Sequence, residues 1–219
     1  MGFSLVAEGV LRTRLPEREW TPLVSMLGYS IGFLIVILGR LQLFTENTLT
    51  PVLPLLQRKD GNTLGNMLRL WAVVLAANLL GALAFGLVVA KTTAFDPEVR
   101  ETFLKIGHEA MRHGFATTLL RAVFAGWLIA LIVWLLPFAE AARIYVIIIT
   151  WLIGIGHFSP IIAGAVDAFT LAWAGQRGWG EVLGTFLLPT LLGNTLGGVT
   201  LGAALNHAQV VAGGKGEDV

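Results

Sequence analysis

Hydrophobic residues in this chain come in long uninterrupted blocks, not in the alternation of a half-buried strand or the stripe of a surface helix. Runs free of Asp, Glu, Lys and Arg extend from Trp20 to Gly39, Leu70 to Ala90, Ala122 to Ala139, Ile144 to Val166 and Val182 to Asn206. Each is near or above the roughly 18–20 residues that carry a helix across about 30 Å of hydrocarbon. In lipid every backbone N–H and C=O needs an internal partner, and a helix supplies them within one segment. The pattern therefore predicts an all-α polytopic membrane protein. Phe3 to Val10 is apolar apart from Glu8, and Leu11-Arg-Thr-Arg-Leu-Pro16 closes it. That block is too short to cross a bilayer, and with no basic segment ahead of it does not read as a signal peptide. It reads as a short interfacial helix or, preferably, as the distal half of a first transmembrane helix truncated at its N-terminus.

Polar interruptions divide the rest. Trp20 is placed to anchor a helix at the headgroups, and that helix meets Arg40, Gln42, Glu46 and Asn47, all costly in lipid. The expectation is a stop near Leu43, an irregular element from Phe44 to Asn47 and a short amphipathic helix to about Leu56. A third helix is predicted over about 67–90, a polar and partly helical connector over 92–112, and a fourth over about 115–136. The fifth starts near Ile144 and is interrupted at Gly154-Ile-Gly-His-Phe-Ser-Pro160, where Pro160 removes a donor and two glycines weaken the helix. Asp167 and Trp173 mark its far end. The sixth covers about 182–207. The predicted organisation is one transmembrane domain, 1–207, with halves at about 1–90 and 115–207 and a polar tail at 208–219.

The halves echo each other. Asn78-Leu-Leu-Gly81-Ala82 shares the pattern Asn-x-x-Gly-small with Asn194-Thr-Leu-Gly197-Gly198, and each lies one long helix beyond a broken one. Repeated three-helix units with a discontinuous middle member expose backbone groups to polar cargo at membrane depth.

Composition agrees. Of 219 residues, 55% are hydrophobic and only 13% charged, with a mean hydropathy of +0.75, too few charges to cover a soluble surface. A net charge of +1 without a basic patch gives no nucleic-acid footprint, and the lack of cysteine removes thiol chemistry. No nucleophile–base pair or metal cluster is visible, so neither an enzyme nor a bound cofactor is expected. Asp167 is the remote exception for a metal, reachable from His157 only through folding.

His157 is the most informative residue: either a structural histidine satisfied by a neighbouring helix, or a pore-lining group able to donate to an anion or relay a proton. Thr45 is either a local cap or a donor facing His157 across a pore. Glu46 and Asn47 are expected to fix the break. Asn78 and Asn194 read as amide cross-links between close-packed helices, or as pins for the broken segments. Leu43, Phe44, Leu53 and Phe158 flank the breaks, where apolar side chains either pack or gate by dewetting. Arg40 and Arg121 snorkel to headgroups or draw anions to a vestibule.

Leu43-Phe44-Thr45-Glu46-Asn47 and Leu192-Gly193-Asn194-Thr195-Leu196-Gly197-Gly198 resemble signatures of the formate/nitrite transporter family. Trp71 to Gly81 and Arg121 to Trp134 are similar to its third and fourth helices, and His157 stands at its central pore histidine. The resemblance implies an aquaporin-like six-helix bundle of two inverted three-helix repeats with broken second and fifth helices. It also implies a bacterial inner-membrane homopentamer in the lipid bilayer, one pore per protomer, passing a small monovalent anion or its conjugate acid. On this reading Thr45 and His157 form the pore site, while Leu43, Phe44, Leu53 and Phe158 are candidate constrictions. Three departures stand out: Glu46 replaces a glycine, the segment at His157 lacks the glutamate and asparagine of Gly-Phe-Glu-His-Ser-x-Ala-Asn, and Gly126 replaces an asparagine. A neutral small-solute pore and a non-conducting structural membrane protein are the alternatives. The Lys/Arg balance favours an orientation opposite to the family's.

Overall fold

The computed structural model describes residues 1–138 and 142–214. It is helical, with no strand among the described residues. In order come α1 (Gly2–Arg14), α2 (Thr21–Leu38), a 3-10 turn (Glu46–Thr48), α3 (Val52–Arg58), α4 (Gly61–Lys91), α5 (Pro97–Ala110), α6 (Phe115–Leu135), α7 (Ala142–Ile155), α8 (Ile161–Trp173), α9 (Trp179–Glu181) and α10 (Leu188–Gly214). A π segment, Val182–Leu187, joins α9 to α10. Pro189 has no N–H to return to the carbonyl of Thr185, and the wider turn just before it takes up that defect.

Among the described residues, four helices are long and apolar enough to cross a membrane: α2, α4, α6 and the continuous Trp179–Leu205 segment. The apolar helices α7 and α8 are shorter and together form the broken fifth crossing. Large apolar side chains such as Leu23, Leu27, Ile31, Ile35, Val73 and Leu80 remain outside, as expected where lipid or another subunit is the neighbour. Two seams build the core, the first within the second half and the second between the halves. Along the first, α6 and α10 run closely side by side because glycines remove the side chains between them. Along the second, α4 packs on α8, where Gly86 lets the α4 backbone approach Phe169 and Thr170.

Several boundaries differ from the sequence reading. The second helix ends at Leu38, not near Leu43, because Gly39 and Arg40 turn the chain out of the helix. The fourth element begins at Gly61, capped by Asp60, whose carboxylate accepts from the Thr63 N–H at 2.8 Å. The connector holds α5, an amphipathic helix that buries Val99, Phe103 and Ile106 against α1 and α8. Residues 208–214 continue α10, so the predicted polar tail starts helical, and its last five positions lie outside the described residues.

Each half contains a helix, a broken helix and a helix, and their breaks match bond for bond. In the first, Gly39 N donates to Ile35 O, Arg40 N to Ile37 O and Leu41 N to Val36 O. In the second, Gly156 N donates to Leu152 O, His157 N to Gly154 O and Phe158 N to Ile153 O. Arg40 and His157 both adopt left-handed backbone, at φ 51 and φ 50. This is the Schellman way of ending a helix, used twice with non-glycine residues. The internal repeat is therefore written in the backbone as well as in the two asparagine motifs.

Candidate functional site

The asparagines hold the breaks open. Asn78 Oδ1 accepts from Phe44 N at 2.9 Å while its Nδ2 donates to Gln42 O at 3.1 Å. Asn194 Oδ1 accepts from Ile161 N at 2.7 Å while its Nδ2 donates to Ser159 O at 2.9 Å. Both amides thus bridge a carbonyl and the N–H two residues later, at equivalent points after the two left-handed turns. A second bond from Asn194 Nδ2 reaches Ala122 O at 2.8 Å and ties the break to α6. An unwound segment at membrane depth leaves backbone groups without helical partners, and these amides supply them.

Around the first break, Asn47 Nδ2 donates to Gln42 Oε1 and Leu43 O, and Asn47 O accepts from Trp71 Nε1 at 2.7 Å. Phe44 is buried edge-on to Trp71, with ring centroids 6.1 Å apart. Thr45 is 1% exposed and its hydroxyl has no hydrogen-bond partner, while Thr48 donates to the Thr45 carbonyl. Glu46 also has one buried carboxylate oxygen without a partner. Leu53 is half-buried on α3.

His157 faces open space on two sides. Toward one end of the molecule it lines a vestibule of about 1030 Å³ with Arg12, Glu17, Trp20, Glu109 and Arg112. Inward it lines a cavity of about 70 Å³ with Glu8, Arg12, Tyr29, Glu109, Phe158 and Asp167. Its carbonyl accepts from Arg121 Nη1 at 3.0 Å, so Arg121 does not simply snorkel: it braces the break. Phe158 stacks against Phe124 at 5.4 Å. Next to Arg112, burial first and then the guanidinium groups of Arg121 and Arg112 hold the His113 imidazole below its ordinary value. Neutral His113 can then accept from Arg112 Nε at 2.9 Å through Nε2.

A third cavity, about 390 Å³, lies at the opposite end and is lined by Phe3, Gln42, Leu43, Asn78, Phe85 and others. α1 serves as a ruler between the two ends. Phe3 borders this third cavity and Arg12 the vestibule, nine residues and roughly 14 Å further along the helix at 1.5 Å per residue.

The structure thus gathers His157 and Phe158 at one end, and Leu43 with Asn78 at the other. Neither cavity lined by His157 is lined by Thr45. In the repeat, moreover, the backbone counterpart of His157 is Arg40 and not Thr45. Asp167, expected to reach His157 only through folding, does line the same cavity, while sequence reasoning missed Glu8, Arg12, Tyr29 and Glu109 beside them. A signal was present, because Glu8 is the one charge in an apolar run and Arg12 stands one helical turn from it. Asp167 does not mark a helix end, being in the middle of α8.

Comparison with known proteins accords with this architecture. Residues 1–208 match the family described as Formate/nitrite transporter. The chain is 41% identical over 211 residues to inner membrane protein YfdC of Escherichia coli (strain K12), covering 96% of this chain and 68% of that protein. Among solved structures, a pentameric formate channel with formate bound superposes with a TM-score of 0.81 at 18% identity, covering 96% of this chain and 93% of that one. A chain described as an FNT family ion channel gives 0.80 at 18% identity, with 94% and 84% covered. At such identities the structural likeness speaks for the fold, an all-helical bundle of the formate-channel type. With its long apolar helices and its inner-membrane relative, this is a multi-pass inner-membrane protein. Sequence match and fold agree: the chain belongs to the formate/nitrite transporter family.

Proposed function

We propose that this chain is a channel or secondary transporter for a small monovalent anion of the formate/nitrite type, working as a homopentamer with a path through each protomer. The observation that carries the reading is His157, held in a strained turn between a wide charged vestibule and a narrow inner cavity. An anion entering the vestibule past Arg18 and Arg112 sheds water at apolar narrowings and needs a donor between them. His157 is that donor, or the group that protonates the anion so that it crosses as the neutral acid. Leu43, Phe44, Leu53 and Phe158 are proposed to form the apolar narrowings. The Thr45 hydroxyl, buried without a partner, is a second donor available to cargo. Glu46, Asn47, Asn78 and Asn194 act by fixing the two breaks, and no catalysis is assigned to the chain.

Carboxylates beside His157 favour one variant of this reading, in which an uncharged solute or an undissociated acid is what passes. Purified protein in liposomes tests both. Formate- or nitrite-dependent current or proton uptake, abolished in His157→Asn, is expected for the anion reading. Electrically silent swelling would support the neutral pore, and a stable oligomer showing no flux of either kind would overturn both.

A further inference from the structure

The cavity beneath His157 holds more ionisable side chains than a passive wall requires. Glu8 is 3% exposed. Arg12 Nη2 lies 2.8 Å from its Oε1 as an ion pair, yet no donor is aligned on that oxygen as a hydrogen bond. Arg12 is already engaged elsewhere: its Nη1 donates to both oxygens of Glu109, at 3.0 and 2.8 Å. Asp167, on α8, reaches the same cavity, and among the described residues no side chain or backbone group donates to its carboxylate. Arg121 spends its bond on the His157 carbonyl. One guanidinium therefore serves two carboxylates, and a third carboxylate has none.

Counting the lining charges, Glu8, Glu109 and Asp167 face Arg12 and Arg121, so the group is one positive charge short. Tyr29 and His157 complete the ionisable lining, and α4 and α10 bring no such side chain to it. Arg12 inside the group disfavours a metal ion as the missing charge. A proton needs no coordination shell, and the cavity has room for a few water molecules to conduct it. The position preceding the histidine is Gly156, so no acid is available next to it in sequence, and α1 and α8 supply the acids in space instead.

We propose that Glu8 and Asp167 together form a proton-carrying site for transport through this chain, linked to His157 by water in the shared cavity. The proton leaves the carboxylic acid, passes through water to the imidazole and leaves a carboxylate behind. The imidazolium then gives it to the permeating anion, which departs as the neutral acid. A proton from vestibule water restores the carboxylic acid, and no electrons change hands. Arg12 and Glu109 hold the site's geometry at the vestibule end.

The coupling step rests on the anion-transport reading, whereas the proton site itself does not. Infrared spectroscopy of lipid-reconstituted protein without permeant, titrated from alkaline to acid, reads the site directly. The wild type is expected to show a titrating carboxylic-acid band that is lost in Glu8→Gln and in Asp167→Asn and retained in Asp167→Glu. An identical band in all four proteins would overturn the proposal. Should Asp167→Asn fail to elute as the wild-type oligomer, Glu8→Gln and Asp167→Glu carry the test. In liposomes given a formate gradient and a pH-sensitive dye, formate-driven proton uptake is expected in the wild type and Asp167→Glu and lost in Glu8→Gln. Proton uptake undiminished in Glu8→Gln would overturn the coupling. A wild type that moves no formate would instead remove the transport reading, with the infrared result still deciding the site.

Discussion

His157 combines a chemical and a conformational role, and the two can be pulled apart. Left-handed backbone costs most side chains roughly 1–2 kcal/mol, while asparagine and glycine tolerate it. His157→Ala therefore mixes loss of the imidazole with added strain in the turn. His157→Asn and His157→Gly are expected to unfold no earlier than the wild type in detergent while still losing flux. Asn194 is the more stringent structural test. Replacing it by alanine strands the buried Ile161 N–H and Ser159 carbonyl and removes the tie to the Ala122 carbonyl of α6. At about 1–3 kcal/mol for each buried group left unpaired, thermal unfolding should fall well below that of the wild type. Asn78→Ala breaks two bonds instead of three, at a more exposed site, and should cost less. Both asparagines and His157 were legible as residues because their motifs are local. The cavity that joins His157 to Glu8 and Asp167 was not, because only the packing of α1 and α5 around α8 puts residues so distant in sequence around one space.

Helices in this protein were readable as elements and less so at their ends. Apolar blocks located the long apolar helices, since lipid leaves few alternatives to a helix. The α2 stop lies at Leu38 and not near Leu43 because the turn at Gly39 and Arg40 is set by backbone geometry, which the apolar Leu41, Leu43 and Phe44 beyond it do not reveal. Close packing of α6 on α10 makes a prediction at this scale. A Cβ at Gly126 would stand 2.6 Å from the Asn194 carbonyl oxygen, and one at Gly197 would strike the Val123 carbonyl. Gly126→Ala or Gly197→Ala should each cost about 1–3 kcal/mol and lower the unfolding temperature, since backbone cannot yield as a side chain can. The start of α4 responds to pH instead. Hydrogen bonds from the hydroxyl and N–H of Thr63 hold the Asp60 carboxyl below the usual carboxylate range. Its cap is fully present above that ordinary range and is lost as the pH falls through the lowered value. Hydrogen exchange at the Thr63 amide should then accelerate relative to its neighbours, and Asp60→Ala should remove the pH dependence.

At the scale of the whole molecule, the two halves repeat one order of elements, a helix, a broken helix and a helix. In the sequence that repeat shows as two short asparagine motifs, each one long helix beyond a break, and the matched turns at Arg40 and His157 extend it to the backbone. The two turns are alike in their hydrogen bonds and unlike in what they carry. One bears a permanently charged guanidinium and the other a titratable ring. On the transport reading proposed above, this asymmetry predicts a diode, with an ion expected to meet unequal barriers from its two ends. Reconstituted in one orientation, the protein is expected to pass unequal formate currents at equal and opposite voltages. Arg40→His, which makes the two turns alike, should bring the two currents closer together.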